Sequence, residues 1–127
     1  MTDEKKSYPR VIIYGDVPSK SNQYRIVSIN GHASLKKSDA VKKYEHGFYL
    51  QNHLRDANIS ENFEIILDVY FKSNRKDLDG AFKLVLDLLQ SSGTIRNDRY
   101  CVKIVARKFV DKERPRIEFE VKTVGDG

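Results

Sequence analysis

The 127-residue chain holds one cysteine, Cys101, and that scarcity excludes an intrachain disulfide or a cysteine-built metal cluster. No apolar run approaches the ~20 residues that span a bilayer, so no membrane-crossing helix is expected. No signal-like stretch precedes the first apolar segment, and the expected location is the cytoplasm. Internal repeats and low-complexity segments are also missing. Acid is in short supply: 18 Asp and Glu against 23 Lys and Arg leave a net charge of +5 and a pI near 9.3. That balance favours a polyanionic partner without identifying one. The length suits one small domain, 1–127, with flexible tails at about 1–8 and 124–127.

Hydrophobic periodicity gives the element order. Residues 10–14 form a β-branched run, and residues 24–29 form a second strand closed by Asn30-Gly31, a pair that tolerates positive φ. A helix follows Ser38 and runs to about Asp56, with Val41, Tyr44, Phe48 and Gln51 on one face and Lys42, Lys43 and Glu45 on the other. Residues 63–71 are the most apolar strand and are expected at the centre of a sheet, covered on both faces. A second helix over 79–91 buries Phe82, Val85, Leu86 and Leu89 at helical spacing and ends at Gly93. Two last strands, 101–110 and 116–124, are expected to form an antiparallel hairpin. The order β-β-α-β-α-β-β predicts an α+β domain: one mixed sheet with two helices packed against it.

The chemistry concentrates around the second helix. Asp77 and Asp79 stand two residues apart where the central strand gives way to that helix. In an extended segment such residues project to one side. Lys83 follows Asp79 by about one helical turn, and Asp87 continues the same polar line. Asp98 arrives in the loop after the helix and can complete a cluster if that loop folds back. Three like charges need a counter-ion, and oxygen ligands without His or Cys select a hard cation, Mg²⁺ or Mn²⁺. Such an ion suits phosphodiester hydrolysis, with Lys83 stabilising developing charge. Arg75, Lys76, Arg96 and Arg99 surround the acids and can hold flanking phosphates; Tyr24 and Arg25 can stack or bind phosphate, although a packed tyrosine is the ordinary role. The same residues also read as an Asp79-capped helix followed by a charged loop.

Asp77-Leu78-Asp79-Gly80-Ala81-Phe82-Lys83 resembles the Asp-Leu-Asp-Asn-x-x-Lys signature of the RusA-type Holliday junction resolvases, crossover junction endodeoxyribonucleases often carried by prophages. Arg75-Lys76, Asp87-Leu88-Leu89 and Gly93-Thr94-Ile95-Arg96-Asn97-Asp98 resemble the family's flanking segments, and 18–25 resembles its Pro-Ser-x-Asn-x-x-Tyr segment with one extra residue. Gly80 stands where the family has Asn, and Asn97 where it has the first Asp of a loop pair. The resemblance implies catalytic and metal-binding roles for Asp77, Asp79 and Asp98 and an essential Lys83. It also implies a homodimer that uses Mg²⁺, for which Mn²⁺ can substitute, to nick two opposed strands of a four-way DNA junction in recombination and repair. Two other activities stay open: a non-catalytic branched-DNA-binding protein, and a nuclease for flaps or other branched DNA.

Overall fold

A computed structural model describes residues 5–125, and the outer parts of the two expected tails, 1–4 and 126–127, lie outside the described residues. Lys6 to Tyr8 run along the last strand: the Lys6 N–H donates to Thr123 Oγ1 at 2.7 Å and the Tyr8 N–H to the Val121 carbonyl at 3.0 Å.

The domain is α+β, as the element order predicts. Strands β1 (Val11–Tyr14), β4 (Phe63–Phe71), β5 (Cys101–Val110) and β6 (Arg116–Thr123) make one mixed sheet in the order β1-β6-β4-β5. Strands β2 (Tyr24–Ile29) and β3 (His32–Lys37) form a separate two-stranded ribbon. Its turn is the Asn30-Gly31 pair, at φ 52° and 79°, the left-handed geometry that joins two strands tightly.

The expected hairpin of the last two strands is not formed. β5 pairs parallel with β4, and β6 pairs antiparallel with the other edge of β4. The parallel pair is possible because α2 (Leu78–Ser91) crosses over between β4 and β5.

β4 is central, but it is covered on one face only. Phe63, Ile65, Leu67, Val69 and Phe71 point into the core beside Val11, Ile13, Ile117, Phe119 and Val121. Helix α1 (Asp39–Gln51) contributes Val41, Tyr44 and Phe48 to that core, and α2 contributes Ala81, Leu84, Val85, Leu88 and Leu89. The alternate β4 residues Asp68 and Tyr70 lie on the face without helices. There Asp68 is ion-paired to Arg10 and Arg107, and Arg116 stacks over the Tyr70 ring at 3.8 Å.

α1 starts as expected, with Ser38 Oγ accepting the Val41 N–H at 3.1 Å. It stops at Gln51 rather than near Asp56, because Asn52 is drawn into a buried tie. Its amide donates to Thr94 Oγ1 at 2.7 Å and to Ser92 Oγ at 3.2 Å, while its Oδ1 accepts the Leu54 N–H.

Gly93 ends α2 in the left-handed region, at φ +73°. A Cβ there would lie 2.9 Å from Asp56 Oδ1 and 3.3 Å from the Asp56 backbone. Gly93→Ala is therefore expected to cost about 2 kcal/mol, from backbone conformation and crowding together, measured as a lower urea midpoint. An unchanged midpoint would mean that the 92–96 turn can rearrange freely.

Candidate active site

The acid pair, Asp77 and Asp79, is placed by a helix start. Asp77 is the N-cap position of α2, at φ −94° and ψ 141°, and its side chain makes no capping hydrogen bond. Asp79 lies in the first helical turn, where a carboxylate interacts favourably with the helix dipole. The expected capping role of Asp79 is thus corrected by two residues. The extended-segment argument for the pair does not hold either, since Leu78 and Asp79 are helical. Both acids nevertheless stand exposed at one mouth of the helix, and Lys83 and Asp87 continue from Asp79 along its exposed side.

The loop that delivers these acids is braced from below. Lys76 turns onto Asp16, forming an ion pair, and also donates to the Val17 carbonyl at 2.8 Å. Asp16 Oδ1 accepts the Lys72 N–H at 3.0 Å. Lys76 is therefore engaged within the fold, whereas Arg75 beside it is exposed. Against this loop lies Tyr44, whose hydroxyl is buried without a partner among the described residues; burial, reinforced by the Asp16 charge, pushes its pKa up.

A second brace is Gln23, only 5% exposed. Its amide donates to the Pro18 carbonyl at 3.2 Å and to the Gly80 carbonyl at 3.3 Å, one residue beyond Asp79. The Gln23 carbonyl in turn accepts the Ser38 N–H at 2.9 Å. The base of the β2–β3 ribbon is thus fixed to the helix that carries the acids. Tyr24, next along, is 45% exposed rather than packed, and Arg25 is exposed beside it. Asp16 and Gln23 were not legible as site residues. Their partners are 60 and 57 positions away in the chain, and no local spacing announces them.

Asp98 opens a short 3₁₀ turn, Asp98–Tyr100, immediately before β5. Asn97 caps that turn, its Oδ1 accepting the Arg99 N–H at 2.9 Å, so the residue that departs from the family pattern has local structural work. The Asp98 N–H donates to Gln90 Oε1 at 3.0 Å, near the C-terminal end of α2. Arg96 and Arg99 are exposed at this end, with Arg99 over the Tyr100 ring at 4.7 Å.

The structure therefore brings Asp77, Asp79, Lys83 and Arg75 to one end of α2, and Asp98, Arg96 and Arg99 to the other. From Asp79 to Gln90 the helix rises about 16 Å, at ~1.5 Å per residue. Among the described residues no group of three His, Cys, Asp or Glu side chains is placed to hold a metal ion. Asp77 and Asp79 fit as half of a hard-cation site, being oxygen donors on adjacent backbone with Asp77 free of capping duty. A single chain does not bring the third carboxylate to them.

Among the described residues, no helix is long and apolar enough to cross a membrane. No curated protein matches the chain in a sequence comparison. A family model described as Endodeoxyribonuclease RusA matches residues 16–122, a span that runs from the Asp16 brace through both ends of α2 to β6. The chain belongs to the RusA endodeoxyribonuclease family.

Proposed function

We propose that this protein is a structure-specific endodeoxyribonuclease that resolves four-way DNA junctions by paired nicks, using Mg²⁺ or, in its place, Mn²⁺. The observation that carries the reading is the pairing of Asp77 and Asp79 at the mouth of α2, with Lys83 one turn on, in a chain of this family. A hard cation held by these carboxylates would supply Lewis-acid polarisation of the scissile phosphate and an activated water.

The remaining roles belong to the chain itself. Lys83 offers an exposed ammonium on the side of α2 that carries Asp79, suited to the extra negative charge of the transition state. Arg75 at one end of the helix, and Arg96 and Arg99 at the other, are exposed and suited to flanking phosphates. Tyr24 and Arg25 extend this surface onto the ribbon, which is fixed to the acid-bearing helix through Gln23. A homodimer meets the demand for two cuts, because a two-fold axis relates two identical sites to two opposed strands. The cytoplasm, where branched DNA arises in a bacterial or prophage setting, is the proposed location.

Purified protein with Mg²⁺ or Mn²⁺ is expected to nick a labelled synthetic four-way junction in two opposed strands, leaving 5′-phosphate and 3′-hydroxyl ends, and to leave linear duplex uncut. Binding without cutting under both ions would remove the catalytic reading in favour of a DNA-binding module. Equal cutting of flaps would widen the substrate to branched DNA in general.

A further inference from the structure

We infer that the β2–β3 ribbon is the element that tells a four-way junction from a linear duplex: Ile26 and Leu35, side by side on one of its faces, form an apolar wedge that enters the base stack at the branch point. The inference rests on the junction-nuclease reading above and deepens it. Carboxylates, a cation and arginines at the two ends of α2 meet the phosphate backbone, which a junction and a duplex share.

The ribbon presents surface on both faces. None of its strand residues joins the hydrophobic core among the described residues. Ile26 and Leu35 are directly paired across the two strands, so their side chains share a face. At 76% and 72% they are the most exposed large hydrophobic side chains among the described residues. Tyr24 stands on the same face, two residues nearer the base, while Arg25 and Lys36 are paired on the opposite face. From Val17 to Ser38 the chain carries no Asp or Glu, whereas Lys20, Arg25, Lys36 and Lys37 fall within that span. An apolar pair framed by cations, with no acid beside it, complements a partner that is anionic outside and flat and apolar within. Stacked base pairs between two phosphate strands have that chemistry. A two-stranded ribbon is also narrow enough to enter a DNA groove.

The anchoring of the ribbon places this pair near the reacting phosphate. A lone two-stranded hairpin is marginal in water, and this one is held at its base. Gln23, just before β2, donates to the Gly80 carbonyl at 3.3 Å. Ser38, just after β3, donates its N–H to the Gln23 carbonyl at 2.9 Å and its hydroxyl to the Asn22 carbonyl. Ile26 and Leu35 each lie three residues beyond these anchors, about 10 Å at ~3.3 Å per residue. That is the length of about three nucleotide steps, so a nick close to the crossover brings the branch point to the wedge. In a linear duplex every base pair is stacked on both sides, and an inserted side chain costs the stacking of a whole step. At a branch point the stack is already interrupted. The cost falls away there, and the burial of Ile26 and Leu35 remains as a gain. Arg25 and Lys36 attract phosphates of either substrate; the apolar pair separates the two. Tyr24, on the same face, is placed to stack on the base beside the opened step.

The test uses the full chain without divalent metal, on an immobile four-way junction and on a linear duplex of the same sequence. The wild type is expected to prefer the junction in a gel shift. The double variant Ile26→Thr/Leu35→Thr keeps strand-forming residues on a solvent-facing ribbon, and is expected to match the wild type in circular dichroism and light scattering. Its junction affinity is expected to fall about tenfold or more, and its duplex affinity to stay within about twofold. A 2-aminopurine at the crossover brightens when its stack opens; the wild type is expected to raise that fluorescence and the threonine variant to leave it unchanged. Ile26→Phe/Leu35→Phe keeps an apolar wedge and is expected to retain both the preference and the rise. If the threonine variant unfolds, the phenylalanine variant decides alone: a fluorescence rise supports the wedge and its absence overturns it. An unchanged preference in a folded threonine variant, or an equal loss on both substrates, would overturn the wedge. So would a change of mass in light scattering, which would assign Ile26 and Leu35 to a contact between copies of the chain. In each of these cases the wild type still prefers the junction and the nuclease reading stands. A wild type that binds both substrates equally, and nicks neither with Mg²⁺ or Mn²⁺, takes down the junction-nuclease reading itself.

Discussion

Asp79→Asn is expected to lower junction nicking by about 10³-fold or more, equivalent to ~4 kcal/mol of transition-state stabilisation, while junction affinity stays within about twofold or rises slightly. The substitution keeps the shape of the side chain and removes its charge. At an exposed position in the first turn of α2, the loss of a carboxylate near the helix N-terminus costs only about 0.3–1 kcal/mol of stability, so the protein should remain folded. Its hold on a hard cation should fall, because a neutral amide is a poor substitute for a carboxylate. DNA affinity should not fall, since removing a negative charge from a surface that faces phosphate reduces repulsion. Single-turnover nicking of an end-labelled junction, alongside gel-shift binding without divalent metal, reads both quantities. Asp87→Asn is the matched control: it lies two turns further along the same exposed side of α2, and its nicking rate should change little. If Asp79→Asn cut the junction within about tenfold of the wild-type rate, Asp79 would not be part of the reacting centre.

What could be read from the sequence, and what could not, divides along the distance of the interactions involved. β4 was legible because nine residues of dense apolar sequence exceed what a surface segment carries. The apolar stripe of α2 and the Asn30-Gly31 turn were legible because spacing and backbone preference are local, although Phe82 and Leu86, expected on the buried face, lie half-buried at its edge beside the buried Ala81, Leu84, Val85, Leu88 and Leu89. β3 was missed. Its sequence, His32-Ala33-Ser34-Leu35-Lys36-Lys37, is exposed throughout, so no alternation of buried and exposed positions marks it as a strand. The partners of β5 and β6 were misassigned because a short turn between two strands suggests a hairpin, whereas here β4 inserts between them. The end of α1 depends on Asn52 meeting Ser92 and Thr94, 40 and 42 residues away. For the site, residue types and order were legible and convergence was not. A 14-residue helix stands between the acid pair and Asp98. Asp98 could rejoin the pair within the chain only if the short segment after Ser91 ran back along the whole helix.

Asp68→Asn is expected to lower stability at pH 7 by about 3 kcal/mol without changing the nicking rate at 25 °C, so that fold and site respond separately. Asp68 is 3% exposed, although it lies on the sheet face that no helix covers. What shields it is a fork of two arginines. Arg107 donates to both carboxylate oxygens, at 2.6 and 2.8 Å, and Arg10 donates to Oδ2 at 2.7 Å. Arg10 also reaches Glu118 and Glu120 at 2.8 Å, and Glu118 is shared with Arg116 at 2.7 Å. The network spans β4, β5 and β6 and the approach to β1, binding the sheet from the side opposite its apolar core. An asparagine would present an amide to two guanidinium groups and leave Arg10 and Arg107 short of an anion, and loss of one partner from a buried ion pair is costly. The pH dependence gives an independent check. Burial pushes the Asp68 pKa up, but the hydrogen bonds and charges of Arg107 and Arg10 outweigh burial and hold it below the ordinary carboxylate value. Glu118 is held down in the same way, by Arg10 and Arg116 against the effect of burial. A depressed carboxylate contributes stability that is fully present above its unfolded pKa, near 4, and is lost as pH falls through the folded value. The wild type should therefore lose stability steeply on acidification below about pH 4. Asp68→Asn should start lower and lose less, so that the two urea midpoints converge in acid. A gap that stayed constant down to the acid transition would mean that Asp68 stabilises the sheet by packing, and not by its charge.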